Sequence, residues 1–145
     1  RPGDYASHLS GRMFPGYAIP ASYYIEALSR RGPVLKTFCD EVFSQVDVLA
    51  MPTIPRKIPT RAECRIDGGD PEAIRRFGLI TQNTRPINYL GLPGLSVHCG
   101  FDDRGLPVGL QLVGRPFAEA RLMTIGDAYQ RDTDWHNRVP ALGAG

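Results

Sequence analysis

The sequence contains little of what several common kinds of site require. Its three cysteines, Cys39, Cys64 and Cys99, are far apart, with no Cys-x-x-Cys pair and no histidine cluster at metal-ligand spacing. No stretch approaches the ~18 apolar residues needed to cross a bilayer. The opening residues also lack the charged, apolar and small-residue regions that make up a signal peptide. These absences argue against a metal centre and a membrane span, and they make a cytoplasmic location the default expectation.

The charge pattern and the composition indicate an ordinary globular domain. The 17 basic and 15 acidic residues nearly cancel to a formal +2 and are interspersed, so no basic stripe predicts contact with nucleic acid. An apolar fraction of 42%, with six Tyr and six Phe, is enough for a core, and 145 residues favour one domain. Because the chain opens at Arg1 without an initiator methionine, we expect it to be a truncation, a proteolytic product or one piece of a split polypeptide.

The first half of the chain reads as a helix followed by a strand. Apolar residues between positions 22 and 46 recur at helical spacing, and Gly32-Pro33 predicts a kink or a break within them. The apolar run over positions 47–51, stopped by Pro52, is typical of a strand buried on both faces. Leu28 and Leu35 are expected in the core.

The second half predicts a short helix, a hairpin and a closing helix. Asp70 should cap the short helix, with Ile74 and Phe77 facing inward, and Gly91 is typical of a left-handed stop after positions 84–90. Strands over positions 95–99 and 108–113 flank a turn and so form a hairpin, and Leu122 lies on the apolar face of the last helix. Together these elements predict a layered α/β fold with irregular ends at positions 1–20 and 138–145.

Several long motifs resemble one hydrolase family. Positions 83–97, Asn-Thr-Arg-Pro-Ile-Asn-Tyr-Leu-Gly-Leu-Pro-Gly-Leu-Ser-Val, and positions 105–114, Gly-Leu-Pro-Val-Gly-Leu-Gln-Leu-Val-Gly, closely resemble the C-terminal region of amidase signature enzymes. Asp47-Val48-Leu49 leading into Met51-Pro52-Thr53 resembles that family's buried strand, in the right order. The resemblance covers positions 10 to 135, so the whole of 1–145 is interpreted as a C-terminal portion of an amidase domain.

The resemblance implies an α/β/α fold around a mixed β-sheet and hydrolysis of carbon–nitrogen amide bonds through an acyl-enzyme. Family members use a serine nucleophile, a second serine in a cis peptide and a lysine, without metal or organic cofactor, and a Gly/Ser-rich loop binds the oxyanion. None of the six serines here lies in such a loop, and Lys36 and Lys57 are the only lysines. The chain alone is therefore expected to lack the catalytic residues and to need the N-terminal amidase portion as its partner.

Three residues are candidates for substrate binding on the same resemblance. Arg12 falls where related amidotransferase subunits hold an arginine that contacts a substrate carboxylate, and a guanidinium suits such a group. Thr84 and Ile87 correspond to positions lining the acyl channel of fatty-amide-cleaving relatives. The alternatives are a solvated surface arginine at position 12 and ordinary packing residues at a helix end.

Two other pairs suggest chemistry but have simpler explanations. His98 and Cys99 resemble a thiol dyad, yet neighbouring strand residues point to opposite faces. Asp102 and Asp103 resemble paired carboxylates, yet aspartate beside Gly105 is typical of a turn. We interpret all four as structural.

The sequence leaves two functional hypotheses open. The chain is either part of an amidase or a non-catalytic binding module derived from the amidase fold. Uncovered strands would make a lone chain aggregate or form a homo-oligomer. The identity of the amide substrate is also open, and an arginine at position 12 weakly favours a substrate with an acidic group.

Overall fold

The structure is a computed structural model, which describes residues 1–5, 7–65 and 70–140, with the side chains of positions 2, 7, 8, 11 and 12 also left out. Its strands form a three-stranded sheet in the order β1-β3-β2, with β1 at Leu49–Pro52, β2 at Gly94–Phe101 and β3 at Pro107–Val113. Both pairings are antiparallel, and β2 with β3 is the expected hairpin. The resemblance implied a mixed sheet, but no parallel pair occurs among the three described strands.

Five α-helices accompany the sheet in the described residues: α1 at Ser7–Ala18, α2 at Ala21–Glu41, α3 at Pro71–Ile80, α4 at Thr84–Leu90 and α5 at Glu119–Asp132. Short 3-10 turns lie at Pro2–Asp4 and Trp135–Asn137. None of the described helices has the length and apolar character that a bilayer span needs.

The helices cover the two faces of the sheet. On one face, Phe43 and Val113 are buried in a cluster with residues of α4, against which the C-terminal half of α2 packs through Leu35 and Phe38. On the other face, α5 lies so close to β2 that a side chain on Gly126 would stand 2.6 Å from Leu95 Cδ2. Successive strand residues point to opposite faces, so the chain forms three layers, helix, sheet and helix. The predicted α/β class is confirmed.

Local stop and cap signals were predicted well. The carboxylate of Asp70 accepts a hydrogen bond from the Glu72 N–H, and Pro71 begins α3. Gly91 ends α4 in the left-handed conformation, with φ 70°. Asp102 accepts hydrogen bonds from the N–H groups of Arg104 and Leu106, which makes it a turn residue. Each signal is local, because the groups involved lie within four residues of one another.

Predictions about ends and breaks were less accurate. Residues 1–20, expected to be irregular, contain α1, since Leu9, Met13 and Tyr17 recur at helical spacing despite the prolines and glycines. Residues 138–140 are irregular, whereas 141–145 lie outside the described residues. α2 runs through Pro33 without a break. An internal proline costs about 3 kcal/mol, which packing of the following turns against the core offsets.

Predictions of burial were partly wrong. Leu28 is 49% exposed, because only the C-terminal half of α2 meets the sheet. In α3, Ala73 is buried and Ile74 is exposed, although Ile74 was expected to face inward, whereas Phe77, also expected inward, is half-buried. In β1, Ala50 and Pro52 are exposed, although both faces were expected to be covered. The strand lies at an edge of this sheet, and α5 packs on β2 at the opposite edge.

Candidate functional site

A group of polar side chains meets where β1 ends. The Thr53 N–H donates to the Gly109 carbonyl at 2.8 Å, which continues the β1-β3 pairing, and the Thr53 hydroxyl lies 2.6 Å from the Ser96 hydroxyl. Asn83 Nδ2 donates to the Pro52 carbonyl at 2.7 Å, so the start of α4 is tied to the end of β1. The buried Gln111 donates weakly to the Asn83 carbonyl at 3.5 Å.

Gly109 allows the two hydroxyls to meet. A Cβ at this position would stand 2.7 Å from Ser96 Oγ and 2.9 Å from Thr53 Oγ1, so any larger residue would separate them. The two hydroxyls line a cavity of about 200 Å³, and its apolar lining includes Ile54 and Pro107. Sequence reasoning missed this arrangement. The signal that could have found it was Gly109 inside a predicted strand, since a glycine there often marks a close approach.

The predicted pocket residues Thr84 and Ile87 lie at the beginning and the middle of α4. The half-buried Thr84 donates its hydroxyl to the Thr81 carbonyl at 3.2 Å. Ile87 is 7% exposed and belongs to the core cluster with Phe43 and Val113. Neither residue lines the small cavity at Thr53. What the structure shows for both is local bonding and packing, and their role in an acyl channel stays a prediction.

The third predicted residue, Arg12, belongs to α1. Its side chain lies outside the described residues. The role of Arg12 in binding a carboxylate therefore also stays a prediction.

His98 and Cys99 do not form a dyad. His98 Nε2 is 2.8 Å from the Gly100 carbonyl, and its ring packs edge-on against Phe101 at 4.7 Å between centroids. The Cys99 thiol points instead to the Val108 carbonyl at 3.6 Å, at a point where the β2-β3 register shifts. Burial raises the pKa of the Cys99 thiol, so it is less nucleophilic at neutral pH than an ordinary thiol.

The two lysines are both engaged by carboxylates. Lys36 pairs with Asp40 one turn along α2, and Lys57 pairs with Asp103 at 2.6 Å.

The hydroxyl of Ser29 donates to the Ile25 carbonyl at 2.9 Å. Within the described residues no three or more His, Cys, Asp or Glu side chains gather as a possible metal site.

A larger groove adjoins the small cavity, and Arg56 and Ile58 line both. It has a volume of about 520 Å³ and lies between the segment that follows β1, helix α3 and the hairpin turn. Its cationic lining consists of Arg56, Lys57, Arg75, Arg76 and Arg104, and its carboxylates are Glu63 and Glu72. The sequence did not predict this groove, because its cations come from three separate segments.

Comparison with known proteins shows the family of the chain. Residues 9–123 match the Amidase family, to which the chain therefore belongs. The chain is 48% identical over 135 residues to a protein from Chloroflexus aggregans that is named as a glutamyl-tRNA(Gln) amidotransferase subunit, covering 90% of this chain and 26% of that protein. It is 39% identical over 147 residues to the protein of the same name from Thermosynechococcus vestitus, covering 98% and 29%.

A solved structure described as "Crystal structure of amidase" has the same fold. Its TM-score is 0.75 at 20% sequence identity, and the match covers 91% of this chain and 30% of that one. The chain thus spans between a quarter and a third of the length of the proteins it matches.

Proposed function

We propose that this chain is part of a serine-dependent amidase that cleaves carbon–nitrogen amide bonds through an acyl-enzyme. Membership of the Amidase family over residues 9–123 carries the proposal. In this scheme a serine oxygen attacks the amide carbonyl, the amine or ammonia leaves with a proton, and water then releases the acid. Because the relatives are named amidotransferase subunits, transfer of the released ammonia to a second acceptor is the variant of this reaction to test.

The nucleophile, its paired serine and the lysine of the Ser-cisSer-Lys triad are proposed to lie outside these 145 residues. The engagement of Lys36 and Lys57 by carboxylates supports this assignment, since a relay lysine must reach a serine. So does the use of the Ser29 and Ser96 hydroxyls in local or cross-strand bonds. This chain then completes the sheet and forms one wall of the substrate pocket.

Exposed surface supports association with a larger partner. The chain's accessible surface is 10499 Å², whereas a compact monomer of its mass, 16.0 kDa, exposes about 7,400 Å². The excess of about 3,100 Å² on this one chain is larger than the roughly 800 Å² that each partner contributes to a standard interface. Exposed large side chains occur on α1 and the N-terminal half of α2, where Tyr17, Tyr24 and Ile25 are 83%, 65% and 61% exposed. We propose that α1 and the N-terminal half of α2 contact the N-terminal amidase portion.

The cytoplasm is the proposed location of this assembly. Cys39, Cys64 and Cys99 are all free thiols, as is usual in a reducing compartment. The cysteines therefore support the location without defining it further.

Native mass spectrometry tests the association. We expect the 16.0 kDa chain to be detected in a complex with a larger polypeptide or as a homo-oligomer. Ile25→Asp should dissociate this complex, because the new carboxylate would be buried in the interface without a partner. Glu26→Asp, a neighbouring change on the same helix, is the control and should leave the complex intact. A lone, soluble monomer for the unsubstituted chain would contradict the proposal and favour the binding module.

In the proposed enzyme, Arg12 binds the carboxylate of an acidic substrate, while Thr84 and Ile87 belong to the wall of the acyl channel. Arg12→Ala in the complete enzyme should raise KM for carboxylate-bearing amides by about 10–100-fold, since a charge-assisted hydrogen bond contributes about 1.5–3 kcal/mol. KM for neutral amides should change less than about twofold. Steady-state kinetics on matched substrate pairs measure this, and equal effects on both would remove Arg12 from the pocket.

A further inference from the structure

The 520 Å³ groove combines an apolar floor with a cationic wall. Ile58 and Pro59 lie on one side and Leu79 and Ile80 of α3 on the other, and all four are half-buried. Its volume falls within the range of about 300–1,000 Å³ that small-molecule sites occupy. A ligand with a short carbon skeleton therefore fits the apolar floor. The charged side chains of the wall determine whether an anionic or a cationic ligand is favoured.

Most charges in and around the groove are already paired. Arg75 holds both carboxylate oxygens of Glu72 at 2.8 and 2.7 Å. Lys57 pairs with Asp103. Arg104 pairs with Asp102 at 3.0 Å and also donates to the Ile58 carbonyl. Arg75, Lys57 and Arg104 therefore each have a carboxylate partner within the chain.

Two guanidinium groups of the groove have no ion pair. Within the part of the chain that the structure describes, neither Arg56 nor Arg76 has a carboxylate at ion-pair distance, and Arg76 acts on Glu63 and Glu72 only through longer-range attraction. Arg76 donates only a long hydrogen bond, 3.4 Å, to the Glu72 backbone carbonyl. A guanidinium presents a planar fork of N–H donors that matches the oxygens of a carboxylate or a phosphate.

The remaining carboxylate, Glu63, is held by the chain itself. It accepts hydrogen bonds from the Thr60 N–H and hydroxyl, at 2.7 and 2.8 Å. These bonds, with smaller contributions from Arg76 and Arg104, keep the pKa of Glu63 below its ordinary value. Glu63 therefore stays ionised and opposes an incoming anion, while Arg56 and Arg76 attract it.

We propose that this groove binds a small organic anion, with Arg56 and Arg76 holding its carboxylate or phosphate and the apolar floor holding its carbon skeleton. Neither Thr84 nor Ile87 lines this groove, so anion binding here can be tested without reference to the proposed amidase activity. Arg56 also lines the cavity at Thr53 and Ser96, and an anion bound here lies beside those hydroxyls.

Isothermal titration of the 145-residue chain, in whatever assembly it purifies, with inorganic phosphate and with succinate tests the proposal. We expect saturable binding of at least one probe, with Kd below about 10 mM at low salt. The Kd should rise as the salt concentration is raised, because salt screens the attraction between the anion and the guanidinium groups. Saturation by phosphate alone identifies a phosphate ligand, and saturation by succinate alone identifies a carboxylate. Absence of saturation with both probes overturns the proposal.

Charge-matched variants locate the binding. Arg56→Gln and Arg76→Gln should each raise Kd at least about tenfold, the usual effect of losing a charged hydrogen-bond donor. Arg131→Gln, the same charge change on exposed α5, should alter Kd less than about twofold. Glu63→Gln keeps an acceptor for Thr60 and should tighten binding by removing repulsion. Equal losses in Arg56→Gln and Arg131→Gln would reduce the effect to net charge and overturn the site.

Discussion

Amide turnover is expected only from an assembly that contains the rest of the amidase domain. The purified chain, free of other polypeptides, should hydrolyse glutamine and a broad amide panel no faster than background. Loss of a complete serine triad lowers kcat by about 10⁶-fold, and the assembly should exceed the isolated chain by a factor of that order. Release of ammonia, measured on equal amounts of chain with and without the complementing polypeptide, gives the comparison.

Variants within the chain separate this explanation from a nucleophile of its own. Ser29→Ala in the assembly should leave turnover unchanged, because that hydroxyl donates to the Ile25 carbonyl of its own helix and not to a catalytic base. Cys99→Ala should also leave it unchanged, since burial raises the pKa of the thiol. Turnover by the isolated chain that disappears in Cys99→Ala would reverse this conclusion and make the thiol the nucleophile.

Removal of the Phe43 ring should have the largest effect on stability. Phe43 is 1% exposed, its ring packs edge-on against Phe38 at 5.8 Å, and the Arg115 guanidinium lies 5.6 Å from its centroid. Phe43→Ala leaves a cavity and should cost about 3–5 kcal/mol, a large share of the roughly 5–15 kcal/mol typical of a whole domain. Urea denaturation followed by circular dichroism measures the loss.

Phe117 provides the matched control. Its side chain is 94% exposed, so Phe117→Ala removes the same atoms from solvent rather than from the core. The free energy of unfolding should change by less than about 0.5 kcal/mol. If Phe43→Ala were no more destabilising than Phe117→Ala, the cluster around Val113 would not be the core that holds α2 and α4 to the sheet.

The site shows where sequence reasoning reached its limit. Thr84 and Ile87 were predicted as pocket residues from the family motif, and their role stays a prediction, but Ile87 is buried with Phe43, which sequence spacing could not reveal. The meeting of Thr53 and Ser96 was not predicted at all. They are 43 residues apart and come together only because the sheet register places Gly109 between them.

The sequence by itself determined the positions of the strands, the Asp70 cap, the Gly91 stop, the Asp102 turn and the Amidase family. Caps, stops and turns depend on groups a few residues apart, so a linear pattern contains them. Only the tertiary structure decided which half of α2 is covered, that β1 is an exposed edge, and that Arg56 and Arg76 share a groove. Such features depend on strand order and on contacts between distant segments, which periodicity along the chain does not specify.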